Sequence, residues 1–273
     1  MAMARRSLPF FLISTVNIFL FRIDHVMLAR MVGSEAVGLY SAAYTVFEVI
    51  VSLFPMLVMS AAFPVLSRLY EEDQNAFENL YQLLLKYFVY LSLPLGTGLF
   101  FLGKYVALLL YGEAFAPAGT TLAILGVAVW VFFLSTLMSW VLTAANRQRL
   151  VLYGNLTALV TNVALNLYLI PAYEANGAAV ATVVSELVNL SIMAAAVSRF
   201  TPLSKLPPRF YAEVTVSLGA MAAVIWTVVS YFAHIGVFLL TTSVTVVGAL
   251  VYIGITSALG TASWSELQLL RRS

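Results

Sequence analysis

Nine polar side chains interrupt the apolar runs of this sequence: Asn17, Arg22, Asp24, His25, Glu48, Asn162, Asn166, Glu186 and Asn189. In hydrocarbon such groups are costly, so each must face a water-filled cavity or a polar partner. At about 1.5 Å of rise per residue, Glu48, Asn162 and Glu186 fall near the middle of their runs. Arg22, Asp24 and Asn166 fall toward one end. Asn162 and Asn166, four apart, share a helix face. Arg22 and Asp24, two apart, point to different sides. Two uses of these groups stand open. In one they line a polar cavity, where Arg22 attracts an anionic headgroup and a carboxylate (Asp24, Glu48 or Glu186) handles a coupling cation. In the other Arg22 is an ion-pair partner of Glu48 or Asp24, and the asparagines cross-link helices.

Catalytic chemistry finds no constellation. The two histidines, His25 and His234, are far apart, cysteine is absent, and there is neither a Gly-rich phosphate loop nor an Asp-x-Asp pair. Neither an enzyme, a resident metal nor a cofactor is expected from such a set.

The elements that must position these residues follow from composition. Hydrophobic residues make up 62% of the chain and charged residues 10%, with a net charge of +2. Soluble domains carry about 25% charge, so the solvent for this surface is lipid. The small net charge argues against a nucleic-acid partner. Apolar runs lie at roughly 8–31, 38–66, 83–103, 119–145, 150–172, 176–198, 211–233 and 236–258, each long enough for a helix to cross about 30 Å of hydrocarbon. The expected fold is therefore an all-α integral membrane protein of about eight transmembrane helices. Alternating the connections places Arg5, Arg6, Arg68, Lys86, Arg147, Arg149, Arg199, Lys205, Arg209, Arg271 and Arg272 on one side, and only Arg30 and Lys104 on the other. With Arg22 inside a run, these account for all 14 basic residues. The first side is expected to be cytoplasmic, with both termini inside, in the inner membrane.

Connections are short. Tyr70 to Gln82 reads as an acidic cytoplasmic loop, Lys104 to Ala118 as an interfacial segment on the outer side, and Thr261 to Ser273 as an amphipathic helix on the inner leaflet. Pro55 and Pro94 are expected to interrupt their helices. The stretch TPLSKLPPR, Thr201 to Arg209, cannot continue a helix and marks a boundary. It separates six helices in residues 1–200 from a final pair and tail in 201–273.

Several stretches resemble the oligosaccharide flippase or polysaccharide-export family of the multidrug/oligosaccharidyl-lipid/polysaccharide superfamily. They are RIDHVMLARMVGSEAVGLYSAAYTVFEVI from Arg22, AAFPVLSRLY from Ala61, LYGEAFAPAGTTLAILGVAVW from Leu110, and the region from NRQRL at Asn146 through NVALNLYLIPAY to NGAAVATVVSE, ending at Glu186. Glu174 departs from the pattern, which has glycine before the Asn-Gly-Ala-Ala stretch. The resemblance implies two six-helix lobes around a central cavity, sometimes followed by two extra helices, and this chain looks like the second lobe with that pair. It implies a membrane-lipid-borne substrate, a polyprenyl-pyrophosphate-linked oligosaccharide, moved to the outer leaflet by alternating access. Arg22, Asp24, Glu48, Asn162 and Asn166 are then the candidate substrate contacts, with Asp24, Glu48 and Glu186 the candidate coupling-ion groups. A first lobe, missing by truncation or supplied by a separate chain, is the implied partner. Multidrug or cation-coupled efflux, and a non-transporting membrane assembly subunit, are the alternatives.

Overall fold

The computed structural model describes residues 2–232 and 236–260, with side chains from residue 11. His234 and the expected amphipathic tail lie outside the described residues. Seven long apolar helices are present among those described, and no sheet. They are α1 (Ala2–Met31), α2 (Ser34–Glu72), α3 (Gln74–Tyr111), α4 (Ala118–Ala144), α5 (Gln148–Val197), α6 (Pro208–Phe232) and α7 (Val237–Leu259). By length and composition the molecule is a multi-pass integral membrane protein.

Two expected connections turn out to be helix. The acidic loop is reduced to one residue, because Asp73 ends α2 and caps α3, its carboxylate accepting from Asn75 N and Ala76 N at 3.0 Å each. Such a cap satisfies orphan amides of the first turn, so the surrounding acids simply extend the two helices into water. The expected interfacial segment is likewise the last two turns of α3, which runs on to Tyr111 before Gly112 (φ 83°) and a 3-10 turn at Glu113–Phe115. Local helix propensity past the hydrocarbon boundary is invisible to a count of apolar residues. α2 continues through Pro55 and Pro64, and α3 through Pro94, so each proline removes a ladder hydrogen bond without ending its helix.

The expected fifth and sixth runs form one hydrogen-bonded element, α5, broken only at Glu174 (φ 51°, ψ −127°). That residue reverses the chain. In a straight helix Asn166 and Thr182 would lie about 24 Å apart, yet both bond the carboxylate of Asp24. A Cβ added at Gly177 would lie 2.2 Å from the Leu169 carbonyl oxygen, and one at Gly154 would lie 2.5 Å from Met193. The arms 148–173 and 175–197 therefore run antiparallel in close contact, and glycine at both positions lets them do so.

α4 is the most enclosed helix, with 61% of its apolar window buried against 17–44% for the others. It packs on α2, α3 and both flanks of α5. One large apolar cluster joins α1 to α5, centred on Tyr40, Phe47, Phe88 and Phe133. A second, smaller one joins α3 to α6 and α7 through Leu102, Met221, Ile225, Leu240, Val244 and Tyr252. The Pro-rich link is pinned rather than loose. Tyr81 Oη donates to the Leu203 carbonyl at 2.8 Å, Gln82 bonds Pro202 and Lys205, and Lys205 Nζ reaches Glu78 at 2.5 Å.

The backbone at Glu174 occupies a region that suits glycine and strains a side chain by about 1–3 kcal/mol. Glu174→Gly is expected to raise the melting temperature of the detergent-solubilised protein. A thermal scan showing an unchanged or lower midpoint would contradict the conformation assigned to this turn.

Candidate functional site

Asp24 is the polar centre of the bundle. Helix α1 presents it inward, where it is 1% exposed. Its Oδ2 accepts from Tyr40 Oη of α2 at 2.6 Å and from Thr182 Oγ1 of the second α5 arm at 2.9 Å. Its Oδ1 accepts from Asn166 Nδ2 of the first α5 arm at 2.6 Å. Asn166 Nδ2 also donates to Asn162 Oδ1 at 2.9 Å, while its own Oδ1 is buried with no hydrogen-bond partner. Helices α1 and α2 and both arms of the α5 hairpin thus meet at one carboxylate.

Arg22 lies elsewhere. One position pair away on α1, it turns outward with its side chain 60% exposed, and Nη2 stands 3.4 Å from Glu48 Oε1, itself 32% exposed. Of the two pairings considered from the sequence, the Glu48 one forms and the Asp24 one does not. Arg22 shares its helix face with Ile18 and Val26, 66% and 56% exposed. An ion pair thus stands on an otherwise lipid-like surface.

Glu186, on the second α5 arm, is a separate centre. Its Oε1 accepts from Ser135 Oγ of α4 and from Asn189 Nδ2 at 3.2 Å. It borders a partly open cavity of about 400 Å³ among α1, α2, α4 and α5, which Asn162 and Asn189 also line. Arg22, Asp24, Glu48 and Asn166 do not line it. Asn17 accepts from Asn155 Nδ2 at 2.8 Å and so ties α1 to α5. His25 packs edge-on against the rings of Tyr40 and Tyr44. A larger crevice of about 590 Å³ lies between α3, the Pro-rich link and the α6–α7 pair, and no candidate residue reaches it.

The expected set therefore divides into three: an Asp24–Asn162–Asn166 cluster, an outward Arg22–Glu48 pair, and Glu186 in the cavity. Tyr40, Thr182 and Ser135, which complete the first and last of these, were not singled out from the sequence. Tyrosine and threonine are ordinary in apolar helices, and their pairing with Asp24 and Glu186 exists only in three dimensions. No cluster of three or more His, Cys, Asp or Glu able to hold a metal occurs among the described residues. The Asp24 cluster is different in kind: one carboxylate with amide and hydroxyl oxygens, a donor set that suits a hard cation rather than a transition metal.

Known proteins share this arrangement of helices. The solved structure of the lipid II flippase MurJ in an inward closed conformation matches with a TM-score of 0.73, at 16% identity, over 88% of this chain and 51% of that one. This chain shares the helical fold of that structure. The sequence agrees: the probable flippase AglR of Haloferax volcanii is 28% identical over 217 residues, 77% of this chain and 44% of the relative. Residues 2–120 match the family described as polysaccharide biosynthesis protein. The chain spans about half the length of these relatives. Both are named as flippases, which are transporters and not enzymes, in keeping with the expectation from the residues.

The geometry separates a buried hub from a surface pair. Asp24→Ala leaves the amide of Asn166 and the hydroxyls of Tyr40 and Thr182 without their acceptor, at an expected cost of about 2–4 kcal/mol. Glu48→Gln loosens only a 3.4 Å pair on the outer surface of the bundle and keeps an acceptor for Arg22, so it is expected to cost less. Melting of the two variants in detergent checks the order, and equal destabilisation would contradict it.

Proposed function

We propose that this chain is the second lobe, with its extra helix pair, of a transporter that moves a polyprenyl-pyrophosphate-linked oligosaccharide from the inner to the outer leaflet. A monovalent cation held at Asp24 drives it by alternating access. The observation that carries the coupling half of this reading is the Asp24 cluster. A carboxylate 1% exposed has only neutral hydrogen-bond donors around it. An ionised carboxylate in that position lacks a counter-charge, and burying it uncompensated is prohibitive. A small cation supplies the charge. The Asp24 carboxylate, the Asn162 and Asn166 amide oxygens and the Thr182 hydroxyl supply its oxygen ligands, and the unpartnered Asn166 Oδ1 is the acceptor left for it. Because those ligands come from α1 and both α5 arms, binding the ion tightens the helices against each other. That is the differential contact a coupling ion needs between two conformations.

Substrate contact falls to the other group. The Arg22–Glu48 pair at 3.4 Å is loose, and its face is too polar for lipid. A first lobe, within a longer chain or on a separate one, covers that face and makes it the wall of the central cavity. There the planar guanidinium offers two parallel bonds to pyrophosphate oxygens. That both relatives are flippases by name, one of lipid II, supports the lipid-linked class of substrate. On the distribution of Lys and Arg, the turn at Arg147–Arg149 is cytoplasmic, the α5 turn at Glu174 is outside, and the termini are inside.

In proteoliposomes holding the assembled transporter and a fluorescent polyprenyl-pyrophosphate sugar, flipping is expected to accelerate with an imposed sodium gradient. Asp24→Asn should abolish that acceleration. Arg22→Lys should lower flipping about tenfold, and Arg22→Ala further, without loss of protein. Flipping indifferent to sodium and to Asp24→Asn would overturn the coupling role. Normal flipping by Arg22→Ala would overturn the substrate role.

Orientation has its own test. Single cysteines replacing Arg147 and Asn176 in this cysteine-free chain are probed in intact cells with an impermeant thiol reagent. Position 176 should react and position 147 should not, and the reverse pattern would refute the topology.

A further inference from the structure

The partly open cavity among α1, α2, α4 and α5 has a lining the cation site does not account for. Among the described residues Glu186 is the only charged one that lines it, and the rest of its polar wall is neutral amides and hydroxyls. Glu186 Oε1 is occupied by Ser135 and Asn189, and Oε2 has no hydrogen-bond partner among the described residues. On α4, Ser135, Ser139 and Thr143 line the cavity at four-residue spacing, so they stand on one helix face. That row spans about 12 Å. It begins at Glu186 and ends just short of the turn that carries Arg147 and Arg149. At the other end of the cavity is Thr182, one helical turn from Glu186. The same Thr182 hydroxyl donates to Asp24. Polar lining therefore runs from the Arg147 end of the bundle to a direct ligand partner of Asp24. A polar cavity of this size takes up water, whereas an apolar one stays dry.

We propose that this cavity is the aqueous path by which the coupling cation reaches the Asp24 cluster from the membrane face bearing Arg147 and Arg149, and that Glu186 makes the path selective for cations. The inference rests on the cation reading of Asp24 and adds the route and its selectivity element. Among the described residues no other formal charge lines the path, so the field that Glu186 sets there favours a cation. Arg147, at its end, is held over the Phe200 ring at 4.4 Å. The hydroxyl row offers oxygen acceptors at each turn, which replace part of the ion's hydration as it moves inward. An anionic pyrophosphate finds no positive group there, so the path is not the substrate's.

The absence of cysteine makes the path directly measurable. Ser139→Cys and Thr143→Cys, both near-isosteric, are made singly in the full chain, with buried Leu137→Cys, which does not line the cavity, as the reference. Inside-out vesicles are treated with a trimethylammonium-bearing methanethiosulfonate or its sulfonate-bearing analogue. Both cavity positions are expected to react and Leu137→Cys to stay unmodified. With each rate taken relative to that reagent's rate with a small free thiol, the cationic reagent should react about fivefold faster than the anionic one at Ser139→Cys, a difference of about 1 kcal/mol shared between attraction of one and repulsion of the other by a nearby carboxylate in a watery setting. Adding Glu186→Gln should bring that ratio to one while leaving overall accessibility in place. Failure of Ser139→Cys to react means a dry or sealed cavity and overturns the path. Equal rates for the two reagents, or a preference that survives Glu186→Gln, overturns the selectivity. Labelling reads water and charge without transport, so a negative result here is distinct from sodium-independent flipping, which bears on Asp24 alone.

Discussion

A single buried carboxylate sets the terms for the rest of this bundle. Asp24 draws Tyr40 from α2, Asn166 from one arm of α5 and Thr182 from the other. In lipid, van der Waals packing holds helices together only where they already fit, because hydrocarbon tails solvate an apolar side chain as well as a neighbouring helix does. Directional bonds to one shared acceptor therefore fix which helices meet and at what depth. The large apolar cluster around Tyr40, Phe47 and Phe133 then fills in against that geometry.

The fold at Glu174 is the device that makes the hub possible. Without it Asn166 and Thr182 would lie at opposite ends of a long rod. With it, the amide and the hydroxyl arrive on the same carboxylate, and Glu186 is carried back to the level of Ser135 on α4. The close approach of the arms depends on Gly154 and Gly177, where any Cβ would collide with the opposite arm. A strained turn and two glycines are what this part of the chain spends to place polar groups at depth.

Charge is distributed by function along the same elements. The inward face of α1 holds Asp24, and the outward face holds Arg22, within one helical turn. The first is enclosed by neutral donors and matches a cation. The second stands on an apolar surface beside Glu48 and matches a covered, hydrated face rather than lipid. The two carboxylates of the interior, Asp24 and Glu186, are linked through Thr182 and the cavity it borders. This separation keeps the two charged centres from neutralising each other.

Much of this was legible in the residues. Membrane residence and the positions of the apolar runs follow from composition, since an apolar run of sufficient length has only a helical solution in lipid. The opposite facing of Arg22 and Asp24, and the shared face of Asn162 and Asn166, follow from helical periodicity alone. Other features belong to the tertiary structure. That Arg22 pairs with Glu48 and not Asp24 depends on which face of α1 meets α2. The conversion of the acidic loop into a one-residue junction depends on the cap at Asp73, and the extension of α3 past Lys104 on propensity beyond the hydrocarbon. Tyr40, Thr182 and Ser135 became site residues only because α5 doubles back. Periodicity reports the side of a helix a residue occupies; its partner across the bundle is chosen by how the helices pack, and no local pattern carries that information.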